Sequence, residues 1–198
     1  MHSTFQKSDK LYFVTNFRVV DRAIGRTQNG LVRYQVKAPN LLRATATIDG
    51  KVVTVVSDGE TLTIHEPQKR SYREHSARKS VVGNLYLASG LLGLQARLID
   101  FLWSVEYLAV GGGTGWVSKL ASRQFSGRTC DGFKVARGDD TWSVWLDRSD
   151  ERRPCYVVSS RLDGSALVTQ MNTLTWKPTK DISAGTFHFT APKGHQRE

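Results

Sequence analysis

Residues 29–50 read NGLVRYQVKAPNLLRATATIDG. Within this stretch Val32, Tyr34 and Val36 alternate with Arg33, Gln35 and Lys37, and Leu42, Ala44, Ala46 and Ile48 alternate with Arg43, Thr45, Thr47 and Asp49. A period of two puts successive side chains on opposite faces of a strand, so these runs predict antiparallel strands with one buried and one wet face. Asn29-Gly30, Asp49-Gly50 and, further on, Asp58-Gly59 sit between such runs. These pairs predict tight hairpins, because both central residues of the favoured turn take positive φ. Extended outward, the alternation runs from Leu11 to about Arg73 and predicts five or six meandering strands in a first β half, residues 11–74.

The period changes near Arg78. Leu94, Leu98, Phe101, Leu102, Val105 and Leu108 recur at helical spacing, with Arg97, Asp100 and Ser104 opposite. Gln95 to Ala109 therefore reads as an amphipathic helix, and Val81 to Leu92 as a second, weaker one. Gly90 and Gly93 separate them and Gly111, Gly112, Gly113 and Gly115 follow, which predicts a hinged helical insertion at 78–110. Alternation then resumes over 116–192, at Phe133 and Val135, Trp142 to Leu146, Tyr156 and Val158, Leu174 and Trp176, and Phe187 and Phe189. The simplest architecture is mostly β: one domain with a single curved antiparallel sheet of about ten strands, an incomplete β-barrel, under a two-helix lid. Strands in that number curl rather than lie flat.

With 198 residues, 39% of them hydrophobic and 23% charged, the chain has a globular composition. Its +10 charge favours anionic partners without choosing among them. The segment Met1 to Lys10 is polar, so no leader is visible, leaving a cytoplasmic protein or an exported one whose leader lies outside this sequence. Cys130 and Cys155 are the two cysteines. They are compatible with one disulfide or with two buried thiols. A strand between them, Thr141 to Asp147, argues against a bridge unless sheet order departs from chain order.

Signs of catalysis are thin. The glycines at 111–115 follow a helix and lack the Gly-Lys-Ser/Thr ending of a phosphate loop, so they read as a hinge. His2, His65, His75, His188 and His195 are scattered without metal-ligand spacing, and no metal or cofactor is expected. No serine lies on a nucleophile turn, and Asp139-Asp140 and Asp150-Glu151 read as turn residues. Lys69, Arg70, Arg73, Arg78 and Lys79 form a basic segment that could meet anionic lipid headgroups. Only Tyr72 interleaves it, which makes a nucleic-acid stacking surface a poor fit. Trp142 and Trp145 point to opposite faces of one strand, so only one can belong to the main core.

The C-terminal residues carry a resemblance. Cys130-Asp131-Gly132-Phe133, Trp142-Ser143-Val144-Trp145-Leu146-Asp147, Arg153-Pro154, Asn172-Thr173-Leu174-Thr175-Trp176 and the ending Phe187 to Gly194 resemble a family of predicted periplasmic bacterial proteins, domain of unknown function 2092. Upstream, Asp58 to Ile64 and Glu66-Pro67 match the same family. That family is similar to the outer-membrane lipoprotein carriers and receptors, whose fold is a half-barrel with a helical lid over an apolar cavity. The resemblance implies a periplasmic location and non-enzymatic binding of a lipid or lipoprotein acyl chain. The amphipathic pattern itself predicts that Leu91, Leu98, Leu102 and Val105 on the helices, with Phe17 and Trp142 on the sheet, line an apolar groove. Burying ~10 methylenes there would gain roughly 8 kcal/mol before ordering costs, enough for micromolar binding. The alternatives are a cell-envelope interaction module whose core is filled by its own side chains and, on charge alone, nucleic-acid binding.

Overall fold

The computed structural model describes residues 9–92, 98, 101–102, 116–137, 140–149, 152–163 and 166–198. Six strands precede the helix: β1 (Lys10–Asp21), β2 (Arg26–Lys37), β3 (Leu41–Ile48), β4 (Lys51–Ser57), β5 (Thr61–Glu66) and β6 (Ser71–Ser76). Helix α1 (Val81–Leu92) follows, and then β7 (Trp116–Phe125), β8 (Arg128–Arg137), β9 (Asp140–Asp147), β10 (Pro154–Asp163), β11 (Ala166–Trp176) and β12 (Gln196–Arg197). All twelve strands form one open curved sheet, ordered β12-β6-β5-β4-β3-β2-β1-β11-β10-β9-β8-β7. The two meanders are joined by β1 and β11, which pair antiparallel from Phe13↔Trp176 to Asp21↔Val168. The pairing of β12 with β6 is parallel.

The sequence expectation of about ten strands and two helices needs correction. Edge strand β7 carries Ser118, Lys119, Ser122, Arg123 and Gln124 and buries little, so its sequence shows no alternation. Strand β12 has two residues, below what periodicity can register. Phe187 and Phe189, which alternate like a strand, instead lie at the end of a 3₁₀ turn, Ala184–Phe187, and just beyond it. Of the expected second helix, Leu98, Phe101 and Leu102 have helical backbone, and the remainder of 95–109 lies outside the described residues.

Turn chemistry explains most hairpins. Asp49 and Gly50 take φ of 48° and 79°, and Ser126 and Gly127 take 49° and 76°, joining β3 to β4 and β7 to β8. Asn29-Gly30 does not turn, contrary to the pattern. It lies inside β2, where Gly30 faces Phe17 of β1, and a Cβ on Gly30 would sit 2.5 Å from the Phe17 ring. Glycine is required there by an aromatic ring lying across the backbone. Gly132 does the same for Trp145, whose Nε1 would be 2.7 Å from an added Cβ.

One face of the sheet carries the main core, which includes Leu11, Phe13, Val32, Val36, Leu42, Ile64, Trp142, Val157 and Leu174. Helix α1 packs on it through Val81, Leu85 and Ala88, spaced for one helical face, while Tyr86 points to solvent. The Ser80 hydroxyl accepts the Gly83 N–H and caps the helix start.

The opposite, outer face is covered differently in the two halves. Over the C-terminal strands, Trp145, Phe125, Tyr156 and the Cys130–Cys155 disulfide form a second cluster. Trp142 thus belongs to the main core and Trp145 to this outer layer. The disulfide forms although strand order follows chain order and β9 lies between the two cysteines. Two strand spacings amount to about 9.5 Å. The Cα atoms are nevertheless 6.7 Å apart, because Cys155 sits in a register shift of β10 and both cysteines lie where β9 ends at Asp147. Over the N-terminal strands, the segment after β11 crosses the outer face and buries Val56, Thr63 and Phe187.

Candidate functional site

Cross-strand register lays out the covered face of the sheet as rows running beneath α1. One row reads Tyr34, Phe13 and Trp176, with Phe13 stacked on Tyr34 at 4.8 Å and tilted against Trp176 at 4.9 Å. Burial pushes the Tyr34 phenol well above its ordinary pKa, so it stays neutral. Further along lie Gly30, Phe17, Asn172, Val157 and Val144, and then Gln28, Val19, Gln170, Ser159 and Trp142. The floor therefore grades from aromatic and aliphatic at one end to polar at the other.

At the polar end is a small cavity of about 30 Å³, lined by Thr15, Phe17, Val19, Gln28, Val32, Tyr34, Ser89, Leu98, Gln170 and Asn172. Thr15 donates to Asn172 Oδ1 at 3.4 Å, and Gln170 Nε2 donates to the same oxygen at 3.2 Å. Asn172 Nδ2, Gln170 Oε1 and Ser159 Oγ are buried without a hydrogen-bond partner among the described residues.

Helix α1 is fastened at one end. Asn84, fully buried, donates to the Asn40 carbonyl at 2.9 Å and to Ser57 Oγ at 3.0 Å, and it accepts the Arg78 N–H at 2.6 Å. Val81 N–H donates to the Pro39 carbonyl at 2.8 Å. The other end brings Ser89 to the cavity, followed by Gly90, whose surroundings are open.

Of the residues expected to line an apolar groove, Leu98, Leu102 and Trp142 share the main core, with Phe17 packed against it. Phe17 and Leu98 also line the cavity. Leu91 lies in α1, its side chain outside the described residues, and Val105 lies outside them altogether. Thr15, Ser159, Gln170 and Asn172 went unnoticed in the sequence, where polar residues at inward positions of a strand were the available signal.

The basic segment is partly neutralised. Lys69 pairs with Glu66 at 2.8 Å, and Arg73 pairs with Glu66 at 3.2 Å and Glu198 at 3.9 Å, leaving exposed Arg70, Arg78 and Lys79. A larger basic surface lies elsewhere: an open cleft of about 770 Å³ lined by Arg128, Arg148, Arg153, Lys177 and Lys180 with Asp147. Arg128 and Arg148 are partly spent there, on Asp147 at 3.9 Å and Asp131 at 2.9 Å. Among the described residues, no three or more His, Cys, Asp or Glu are grouped to hold a metal, and no helix is long and apolar enough to cross a membrane.

A family model described as "Predicted periplasmic protein (DUF2092)" matches residues 27–197. No curated protein matches the sequence. Among solved structures, the chain is similar to MucB in complex with MucA(peri), at 14% identity and a TM-score of 0.48, covering 95% of this chain but 58% of that one. It is also similar to the Mycobacterium tuberculosis lipoprotein LppX, at 12% identity and a TM-score of 0.49, covering 88% and 90% of the two chains. A LolA-superfamily protein from Nitrosomonas europaea shares 10% identity over 91% and 90%, at a TM-score of 0.34.

Proposed function

This chain belongs to the DUF2092 family of predicted periplasmic proteins, and from that premise we propose that it is a non-enzymatic carrier for an apolar ligand, such as a lipid or lipoprotein acyl chain, held between the sheet and α1. The observation that carries this reading is the helix. It lies over an apolar sheet face, is hydrogen-bonded at its N-terminal end through Asn84 and Val81, and ends over a cavity beside the open position of Gly90. Swinging the C-terminal end of α1 outward together with Leu98 would expose Phe17, Val19 and Val32 to a ligand while keeping the Asn84 anchor. A chain burying ~10 methylenes gains roughly 8 kcal/mol before the helix packing lost on opening is subtracted, so micromolar affinity is the upper bound on that scale. Exposed Arg78 and Lys79 lie just before the anchored end, with Arg70 at the opposite end of β6, and they suit the anionic headgroups of a membrane from which such a ligand is taken.

A second reading, a filled-core envelope interaction module, is favoured by the cavity's size of about 30 Å³, the volume of one water. A single titration separates them. The carrier binds 1-N-phenylnaphthylamine saturably in the micromolar range, and Ser89→Phe, which fills the cavity from the helix side, weakens that binding at least tenfold. Absence of saturable binding by the wild type leaves the filled-core reading in place.

A further inference from the structure

We propose that Gln170 and Asn172, with Ser159 beside them, recognise an uncharged hydrogen-bonding group of the ligand, an ester or amide linkage at the head of its acyl chain. The inference rests on the carrier reading and names its ligand class. Buried polar atoms in native proteins are almost always paired, and each exception asks for a cause. Here three fall on adjacent strands: Ser159 is directly opposite Gln170, and Asn172 is two residues along the same strand, on the same face. Their residues are 1%, 6% and 1% exposed.

The side-chain amide orientations do not remove the mismatch. As oriented, Asn172 Oδ1 accepts two bonds while Asn172 Nδ2 and Gln170 Oε1 have none. With both amides exchanged, the bond between them reverses and again leaves one donor and one acceptor free. An ester carbonyl meets the free donor alone, whereas an amide meets both, its carbonyl accepting from the donor and its N–H donating to the acceptor.

Charge excludes the commoner lipid headgroups from this position. None of the ten described residues that line the cavity is charged. A carboxylate or phosphate would lose its water there without a counter-ion, which buried charge does not tolerate. The apolar neighbours Phe17, Val19, Val32 and Leu98 suit the chain that continues from the linkage. The cavity, at about 30 Å³, is too small for an ester or amide group, so the linkage enters as the C-terminal end of α1 moves away with Ser89 and Leu98.

Displacement of 1-N-phenylnaphthylamine by three lipids of equal chain length tests this: a monoacylglycerol, the matching 1-O-alkylglycerol ether, and the free fatty acid at pH 8. The wild type is expected to bind the ester at least tenfold tighter than the ether, which lacks the carbonyl, and tighter than the carboxylate. Asn172→Leu keeps the side-chain volume and removes the free donor. It is expected to bind ester and ether equally, with cooperative unfolding in denaturant showing the fold intact. Equal binding of ester and ether by the wild type means that the pair holds only a water and overturns the proposal, as does an intact preference in Asn172→Leu. Failure of the probe itself to bind removes the carrier reading and this inference with it, a result distinct from binding without preference.

Discussion

Gly30 and Gly132 serve one purpose at two places. Each lies inside a strand opposite an aromatic residue, Phe17 or Trp145, whose ring crosses the glycine backbone. Glycine costs strand stability in general, and the aromatic ring that covers it restores packing. Gly30→Ala would place a Cβ 2.5 Å from the Phe17 ring and 2.8 Å from the Thr47 carbonyl. The expected loss is about 2 kcal/mol, the scale of overpacking. Gly90→Ala, in a helix with open space around it, is expected to gain up to about 1 kcal/mol. Denaturant titration of both variants checks the pair, and equal effects would refute the assignment. At this scale the sequence misled: Asn29-Gly30 has turn composition, yet the position of Phe17 across the sheet decides what the glycine is for.

Among the elements, the strands with one wet and one buried face were legible and the others were not. Strand β3 reads correctly because Leu42, Ala44 and Ala46 are buried against alternating polar neighbours. Strand β7 is an exposed edge whose side chains pack on little, so no selection for alternation marks it. The disulfide also belongs to this scale, since the register shift at Cys155 and the end of β9 bring the sulfurs together. Closing a loop between residues 25 apart should stabilise the fold by roughly 3 kcal/mol. Cys130→Ala with Cys155→Ala is expected to lose about that much in a denaturant titration, with Trp145, in the same cluster, reporting the change. A loss under about 1 kcal/mol would show the bond to be dispensable.

For the molecule as a whole, the segment after β11 acts as a strap over the outer face of the N-terminal half. Phe189 packs against His65 and Tyr72, the Thr186 carbonyl accepts Arg43, and Gln196 N–H donates to the Arg70 carbonyl. His195 Nδ1 meets His65 Nε2 at 2.9 Å, a bond that needs one of the two nitrogens unprotonated. Burial lowers the His65 pKa below its ordinary value, and His195 and Arg43 lower it further. The unfolded chain therefore binds the extra proton more readily. The stability from this pair is present above the unfolded histidine pKa of about 6.5 and is lost as pH falls through the lowered folded value. The protection of amides in residues 189–197, relative to their base-catalysed intrinsic exchange at each pH, is expected to fall between pH 7.5 and 5 and to become pH-independent over that range in His65→Gln. A strap equally protected at both pH values would refute the coupling.

What the sequence determined by itself was the class of structure and its broad layout. Alternation at Val32 to Val36 and at Leu42 to Ile48 requires a half-buried sheet whatever its partners, and the change of period after Arg78 requires a helix between two β segments. These follow from local geometry, since side-chain direction along a strand or helix depends on the backbone alone. What only the tertiary structure decided is everything that joins residues distant in the chain. Thr15 reaches Asn172 across 157 positions and His65 reaches His195 across 130. In sequence, Gln170 and Asn172 look like any polar strand residues. They become a buried, unsatisfied pair because β1 closes against β11 and α1 covers the join, and burial depends on which surfaces meet, which no local period encodes.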